Sequence, residues 1–384
     1  MIDVGIPTLG KPILEDTPNG VLLRNMLIGK DFHWQKTIEV LLPGEVIRNN
    51  DPTFTVINHL PLEKYLECVV GSEMNPEAPA EFLKAHAVIS RSWALGKITG
   101  EHPHDNSGKI DSPDLIVNWE DTCDHQGFHV CSDDHCQRYQ GIQPIRPEIL
   151  DAIRATAGLV LRAPDGGLVD TRFSKCCGGR TELFSTCWQD INPAALESFD
   201  DPWCNLSELS QDSRKEVLNA ILKDYDLAND GGYRWHTSIS ARAVATNLRN
   251  KFKRDLGDIL NIEITHRGPS GRADRLKLIG SKGNLEIGKE LMIRRLLSPT
   301  HLYSSAITIT KQSASHKEIE SEPSITPNNS IGSNPDISLE FAIDGSGWGR
   351  GVGLCQIGAA RMALEGHDFR SILSFYYPGT SLST

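Results

Sequence analysis

The chain has 384 residues, of which 39% are hydrophobic and 23% charged, so we expect two or three domains with a sizeable core. The formal net charge of −11 argues against nucleic acid or an anionic membrane as the main partner, because both select for Lys and Arg patches. This balance is still compatible with a small basic groove. No run of about 18 apolar residues occurs, so no transmembrane helix is expected. The N-terminal segment has no basic end followed by an apolar core, so we expect no signal peptide.

Residues 1–60 are predicted to form a β-rich segment, because short runs of β-branched residues end at Gly, Asn or Pro. A core domain is predicted over 61–209. It contains a helix near 78–98 with Pro79 in its first turn. One face of this helix is apolar, since large or small apolar residues recur at spacings of three and four: Phe82, Ala85, Ile89 and Trp93.

The middle of the chain predicts further short elements. Residues 101–142 are polar, turn-rich and dense in His and Cys, so something other than a core must order them. A helix near 147–157 leads into a hairpin formed by GLVLRAP and LVDTRFSK around Asp-Gly-Gly.

A small α+β insertion domain is predicted over 210–311, with helices near 211–224 and 240–253 followed by three strands. Residues 312–337 contain almost no large apolar side chains, which is typical of a flexible surface loop. The segment 338–384 returns to ordered, glycine-rich core sequence. The fold class predicted for the whole chain is therefore α+β.

Glu73 is the first candidate for chemistry. An acidic residue before a helix often only satisfies the helix dipole. Tyr65, Arg91 and His86 accompany Glu73 near one helix end, however, and a carboxyl half-buried against apolar groups can hold a proton and donate it to a leaving oxygen.

The second candidate is the Cys/His loop at 121–141. Six ligand-type residues fall within 14 positions, and zinc prefers such tetrahedral Cys and His sets from one loop. A disulfide between Cys131 and Cys136, or free thiols beside solvated histidines, are the alternatives. The six residues are Cys123, His125, His129, Cys131, His135 and Cys136.

The nine cysteines as a whole are a poor disulfide framework, because their number is odd and two of them are adjacent. The adjacent pair lies in RFSKCCGGRTE, residues 172–182. A redox pair or a Cys nucleophile is one interpretation of this motif. The interpretation we favour is a tight glycine turn that lines a groove, with thiols packed as small hydrophobic groups.

Five alternating glycines run from Gly345 to Gly353. A phosphate-binding loop is disfavoured, because the motif lacks the Gly-Lys-Ser/Thr ending and a preceding βαβ context. Alternating glycines also permit the backbone to approach a flat sugar ring or a neighbouring strand.

Taken together, these stretches resemble the SpoIID/LytB family. The family's helix motif, approximately EMP-x-x-WP-x-EALKAQA-x-x-ART-x-A, stands here as EMNPEAPAEFLKAHAVISRSWA. The motifs CGGRTE, GWG-x-GVG-x-x-Q-x-GA-x-x-MA-x-x-G and IL-x-x-YYPGT follow in the family's order, at 177–182, 347–366 and 372–380.

The resemblance implies a SpoIID-like core and a peptidoglycan lytic transglycosylase. Such an enzyme cuts the glycan strand between N-acetylmuramic acid and N-acetylglucosamine and leaves a 1,6-anhydro ring. Glu73 occupies the position of the family's catalytic acid. We expect the glycan to contact residues around it and on the later motifs: Tyr65, Arg91, Gly178, Gly179, Arg350, Gly351 and Gln356.

The resemblance also implies a structural zinc ion bound by one His and two Cys after the helix. The matching positions are His125, Cys131 and Cys136, with His135 in reserve. A substrate of this kind places the protein at the cell envelope, although no export signal is expected from the sequence.

The sequence departs from the family pattern at four positions, and two of these departures, Arg350 and Ala78, favour a second interpretation. Arg350 stands where a His is usual and cannot serve as a base. Asn75 replaces a Pro, Ala78 an aromatic residue and His86 a Gln. LytB-type members are amidase enhancers, so the alternative is a glycan-binding module with a cell-wall amidase as its partner. A metal-binding structural protein is a third class, but it explains neither Glu73 nor the glycines.

Overall fold

A computed structural model describes residues 1–9, 12–18, 20–28, 36–49, 53–101, 108–119, 125, 127–132, 136–207, 209–222, 233–312 and 339–384. The predicted loop at 312–337 therefore lies almost wholly outside the described residues. Cys123 and His135 lie outside them too.

The N-terminal segment forms a seven-stranded sheet, as its β-rich sequence predicts. Its central strand, Ile2–Leu9, pairs with three neighbours, one of which is a parallel two-residue strand from the Cys/His loop. The strands are β1 (Ile2–Leu9), β2 (Ile13–Thr17), β3 (Gly20–Ile28), β4 (Lys36–Leu41), β5 (Gly44–Arg48), β6 (Thr53–Leu60) and β9 (Val130–Cys131).

Helices pack against this sheet and form the main hydrophobic core. The long central helix, Ala80–Thr99, is followed by Gly100, whose left-handed backbone (φ 72°) suits a glycine after a helix. The helices of this part are α1 (Leu62–Glu73), α2 (Ala80–Thr99), α3 (Pro147–Ala155), α4 (Phe184–Cys187), α5 (Gln211–Ile221), α8 (Gln356–Leu364) and α9 (Phe369–Tyr376), with a 3-10 turn at Pro202–Cys204.

A second hydrophobic core lies in the later part of the chain. One sheet has the order β13–β14–β15–β8–β7, and another has the order β12–β17–β16. Their elements are β7 (Gly108–Asp111), β8 (Leu115–Trp119), β12 (Arg234–Ser240), β13 (Ile259–Arg267), β14 (Ala273–Gly280), β15 (Gly283–Gly288), β16 (Ile307–Gln312), β17 (Glu340–Ser346), α6 (Ala241–Asn247), a π-helical turn at Leu248–Phe252 and α7 (Glu290–Leu296).

The α+β class is confirmed, as are the helices expected near 78–98 and 147–157. The two cores do not follow the expected chain segments alone. Helix α5 packs in the first core through Leu218 and Ile221, while β8 and β17 add residues to the second core. The reason is long-range strand pairing, since β8 pairs with β15 and β17 with β12.

The expected hairpin is reduced to a turn closed by one bridge between Arg162 and Leu168. The short strand β10 (Val160–Arg162) pairs instead with β19 (Ser381–Ser383) at the C-terminus. Likewise β11 (Phe173–Ser174) pairs in parallel with β18 (Leu354–Cys355), which joins the CCGG region to the glycine-rich segment. Within the described ranges, the helices lack the combination of length and apolarity needed to cross a bilayer.

Candidate active-site groove

A groove of about 920 Å³ lies between the two cores, and we call it the central groove. Glu73 lines it together with the glycine-rich segment at 348–350, so the structure brings together the two features that the sequence singled out. Aromatic side chains contribute to its wall: Trp93, Phe173, Trp188, Phe252 and Trp348. The tryptophans are buried, so the partly exposed Phe173 and Phe252 are the rings that offer apolar surface of the kind that sugars pack against.

The central groove is strongly basic, although the chain as a whole carries a net charge of −11. Glu73 and Asp111 are the acidic residues of its described lining. Ten lining residues are basic: Lys109, Arg138, Arg172, Lys175, Lys251, Lys253, Arg254, Arg294, Arg295 and Arg350. Because low-dielectric walls focus such a field, the groove attracts anionic ligands despite the acidic surface.

Glu73 is the last residue of α1, only 8% of it is exposed, and the chain turns away at the extended residue Met74. Its Oε1 accepts a 2.6 Å hydrogen bond from the backbone N–H of Arg138. A carboxylate at a helix C-terminus faces the negative end of the dipole. The dipole-satisfying role considered from the sequence therefore does not apply, because that role requires a helix N-terminus.

Tyr65 lies behind Glu73 and is fully buried. Its hydroxyl donates to Oε1 of Gln137 at 3.1 Å, and its ring stacks on Tyr139 with centroids 6.1 Å apart. Burial raises the pKa of Tyr65 well above its ordinary value, so the phenol stays neutral. The structure thus places Tyr65 inside the wall, where it supports segment 136–139 rather than reaching into the groove.

Arg91 is also an interior residue, with 2% exposure. Its guanidinium forms a bidentate pair with Glu63 at 2.7 and 2.8 Å and donates to the carbonyl of Leu159 at 3.1 Å. This pair joins α2 to the first turn of α1. Arg91 therefore holds the two helices together instead of contacting a ligand, because its donors are directed to protein acceptors.

Gln356 lines the central groove and is hydrogen-bonded to His86, which is fully buried. The Gln356 amide donates to Nε2 of His86 at 3.0 Å, which places the ring proton on Nδ1, 3.1 Å from the Ser90 hydroxyl. Burial, with a contribution from the charge of Lys175, lowers the pKa of His86 to about 3. His86 is therefore a neutral structural residue.

Lys175 enters the groove wall from the CCGG motif. Its ammonium donates to the backbone carbonyl of Glu73 at 2.6 Å and lies 3.0 Å from the sulfur of Met74. The sequence pattern around Lys175 points to the adjacent cysteines and contains no signal for the lysine itself. Together with Arg138, it fixes the end of α1 from two sides.

Arg350 lines the groove at a position where its charge is partly balanced. Its Nε donates to Oε1 of the fully buried Glu290 at 3.1 Å, and its guanidinium lies 4.5 Å above the ring of Trp188. Arg294 shares the same Glu290 carboxylate at 3.4 Å. Two cations thus face one carboxylate, which leaves positive charge for an anionic ligand group.

The alternating glycines allow close approach to protein groups. A β-carbon at Gly351 would lie 2.5 Å from the guanidinium of Arg272, and one at Gly353 would lie 2.0 Å from the carbonyl of Arg172. Both glycines have positive φ. Close packing against protein groups accounts for these two positions, and Gly349 is the glycine of this segment that lines the groove.

Gly178 and Gly179 also serve internal packing. Both have left-handed backbones, with φ of 85° and 109°. Gly178 meets the backbone of Gly347, and Gly179 faces the hydroxyl of Tyr233. The expected turn is present, but the residues that line the groove are those just before it, from Arg172 to Lys175.

The Cys/His loop brings its three predicted ligands together. Nε2 of His125 lies 3.1 Å from Sγ of Cys136, and the three donor atoms, with that of Cys131, lie within 4.8 Å of one another. Cys131 and Cys136 carry free thiols rather than a disulfide. Burial and the neighbouring Cys131 raise the pKa of Cys136 well above its ordinary value, so ionised thiolates there require a compensating cation. The donor set fits zinc.

His129 does not join this set. Its Nδ1 accepts a 3.0 Å hydrogen bond from the backbone N–H of Asp3 and faces the Asp3 carboxylate at 3.3 Å. His129 therefore anchors the loop to β1, next to the parallel pairing of β1 with β9.

Comparison with known proteins agrees with the motifs. Residues 50–162 match the family model described as stage II sporulation protein, SpoIID. The family expected from the sequence is thus confirmed, and this stretch is a SpoIID domain. Residues 182–353 match a domain of unknown function, DUF8618, which covers most of the second core.

Three relatives align with most of the chain. An uncharacterised protein of Brachyspira hyodysenteriae is 26% identical over 86% of this chain and 68% of its own length. The amidase enhancer of Bacillus subtilis is 24% identical over 83% of this chain, which spans only 40% of that relative. Stage II sporulation protein D of the same organism is 22% identical over 85% of this chain and 76% of the relative.

Proposed function

We propose that this protein is a peptidoglycan lytic transglycosylase with Glu73 as its general acid and base. The observation that carries the proposal is the position of Glu73, whose carboxylate is held by the Arg138 amide in a groove with aromatic walls and basic lining. The SpoIID match and the relatives named for sporulation and amidase enhancement support a cell-wall context.

One carboxyl group is sufficient for this reaction. The protonated Glu73 donates its proton to the glycosidic oxygen as the bond to C1 of N-acetylmuramic acid breaks. The carboxylate then takes the proton from the sugar's own 6-hydroxyl, whose oxygen attacks C1 and closes the 1,6-anhydro ring. The proton returns to Glu73, and no water is consumed.

Hydrolysis would use a second carboxylate to activate water or to attack the sugar. Asp111 is the other acidic residue of the described groove lining. It pairs with Lys109 at 2.6 Å and with Arg254, and its hydrogen bond from Lys109 lowers its pKa. A carboxylate engaged in this way is a weak base, so the site favours the water-free reaction.

The loop zinc would have a structural role, ordering the loop, rather than act as a Lewis acid. His125, Cys131 and Cys136 would hold it. The chain continues directly from Cys136 to Gln137, which supports Tyr65, and to Arg138, whose amide holds Glu73. The order of the loop is therefore transmitted to the catalytic carboxyl over two residues.

The second candidate function is a glycan-binding module that stimulates a cell-wall amidase. Arg350 favours it, because this always-charged residue is engaged with Glu290 and cannot accept a proton. The amidase enhancer of Bacillus subtilis supports the same context. In this case the basic groove would hold the strand for the amidase without cutting it.

Purified glycan strands, with and without stem peptides, separate these functions when the products are examined by mass spectrometry. The enzyme proposal predicts 1,6-anhydro products that disappear in Glu73→Gln. They should persist in the matched control Glu77→Gln, which changes an exposed carboxylate four residues away. Absence of anhydro products, together with intact strand binding and stimulation of an added amidase, would establish the second function instead.

A further inference from the structure

A second cluster of ligand-type side chains lies behind the groove wall, away from the Cys/His loop. The side-chain donor atoms of Cys177, Asp201, Cys204 and Cys355 all lie within 4.8 Å of one another. Each residue is at least 98% buried. A fourth sulfur, that of Cys176, lies 3.4 Å from Sγ of Cys204.

The spacing suits a thiolate-bound metal. Tetrahedral zinc with Zn–S bonds of about 2.3 Å places its sulfur ligands about 3.8 Å apart. The four donor atoms lie within 4.8 Å of one another, and Sγ of Cys177 is 3.3 Å from Oδ2 of Asp201. The backbone N–H of Cys177 also donates a 3.3 Å hydrogen bond to Sγ of Cys355. Amide donors to sulfur stabilise the thiolate form that a metal requires.

The charges of the cluster point the same way. Among described residues, Asp201 has no Lys or Arg partner, and it is held instead by the Tyr376 hydroxyl at 2.9 Å and two backbone amides at 3.1 Å. A buried carboxylate that lies beside three thiols lacks positive charge, which a divalent cation would supply.

Glycines make room for this arrangement. A β-carbon at Gly358 would lie 2.2 Å from the Tyr376 hydroxyl and 2.6 Å from Oδ2 of Asp201. The Tyr376 hydroxyl thus acts as an outer partner that orients the carboxylate, as is usual around metal ligands.

We propose that Cys177, Asp201, Cys204 and Cys355 form a second, structural metal site of the zinc class. Its ligands come from three distant segments, namely the CCGG turn, the 3-10 turn at Pro202–Cys204 and the start of α8. A metal there joins these segments. It also fixes Lys175 and Gln356, which are close in sequence to two ligands and line the groove. This proposal does not depend on the transglycosylase assignment.

The test measures zinc in full-length protein carrying Cys131→Ser and Cys136→Ser, which remove the loop site. After dialysis, about one zinc ion per chain should remain, as expected for a closed structural site. Adding Cys204→Ser or Cys355→Ser should abolish it. Adding Cys187→Ser, which removes a buried thiol outside the cluster, should leave it unchanged.

Cobalt substitution of the otherwise unaltered protein gives an independent measurement if those variants fold poorly. With both sites filled, the thiolate-to-cobalt absorption should report five sulfur ligands, whereas the loop site alone supplies two. Alkylation in denaturant should find every thiol reduced. Loop-variant protein without zinc, an absorption intensity matching two thiolates, or a disulfide between Cys176 and Cys204 would each overturn the proposal.

Discussion

The backbone N–H of Arg138 donates a 2.6 Å hydrogen bond to Oε1 of Glu73. The donor belongs to the segment that follows the Cys/His loop, and the acceptor is the last residue of α1. Because the donor is a backbone group, its position depends on the order of the loop and not on the identity of residue 138. This relationship links the predicted zinc site to the predicted catalytic carboxyl.

Loss of a loop ligand should therefore impair catalysis. Cys136→Ser should remove the loop zinc and lower glycan turnover by about 10-fold, the effect of weakening one hydrogen bond to a charged group by about 1.5 kcal/mol. Turnover and zinc content should be measured on the same preparations. His129→Asn is the matched control, because the Asn side-chain oxygen can still accept the hydrogen bond from the Asp3 backbone N–H that anchors the loop. Zinc loss with unchanged turnover would contradict the link.

Arg91 should prove to be a positioning residue. Arg91→Lys cannot reproduce the bidentate pair with Glu63, so it should lower the free energy of unfolding by about 1–3 kcal/mol. The Michaelis constant for glycan should stay unchanged in the folded fraction. Denaturant unfolding and steady-state kinetics check the two quantities. A raised Michaelis constant at unchanged stability would show instead that Arg91 contacts the substrate.

The glycine-rich segment predicts a contrast between two alanine substitutions. Gly353→Ala combines a left-handed backbone (φ 70°) with a 2.0 Å approach to the Arg172 carbonyl. Gly366→Ala has a similar backbone (φ 93°) but open space around the new methyl group. Gly366→Ala should lose about 1–2 kcal/mol of stability, and Gly353→Ala clearly more, in thermal or denaturant unfolding. Equal losses would show that the close approach is easily relieved.

His86 predicts a dependence of stability on pH. Its pKa is lowered to about 3 in the folded protein, against an ordinary value of 6.5, so the unfolded chain binds more protons between these values. The stabilisation is complete above pH 6.5 and falls by about 1.4 kcal/mol per pH unit as the solution is acidified toward pH 3.

His86→Gln restores the residue usual in the family and cannot titrate. The difference in unfolding free energy between the original protein and His86→Gln should therefore change in favour of the variant as the pH is lowered from 7 to 5. Denaturant unfolding at several pH values gives this difference. A difference that is independent of pH would show that His86 is solvated or paired in its charged form.

The sequence alone predicted those features that have a periodic pattern or a cluster of similar residues. Helix α2 follows from its apolar spacing. The clustering of His and Cys side chains marked the loop at 121–141 as a candidate metal site, and the family resemblance selected His125, Cys131 and Cys136, which the fold brings together. Helix α1 was missed, since nearly every position from Tyr65 to Glu73 is buried and no amphipathic period remains. Because α1 was not predicted, Glu73 was expected just before a helix, whereas it is the last residue of α1.

Other features depend on contacts that local sequence does not encode. The hydrogen bond from Arg138 to Glu73 uses the backbone N–H, which every residue except proline has, so no side-chain pattern predicts it. The partner of Arg350 is Glu290, which comes from the second core, and Arg91 reaches Glu63 across two helices. The Cys177–Asp201–Cys204–Cys355 cluster could not be predicted from the sequence, because its members are spread over three segments.

The reaction in water labelled with oxygen-18 tests the central claim most directly. If Glu73 recycles one proton between the glycosidic oxygen and the sugar's 6-hydroxyl, mass spectrometry should find unlabelled 1,6-anhydro ends, and Glu73→Gln should yield none. Glu77→Gln should behave like the unaltered protein. Reducing ends that carry the label would show hydrolysis, and anhydro ends that persist in Glu73→Gln would remove this carboxyl from the chemistry.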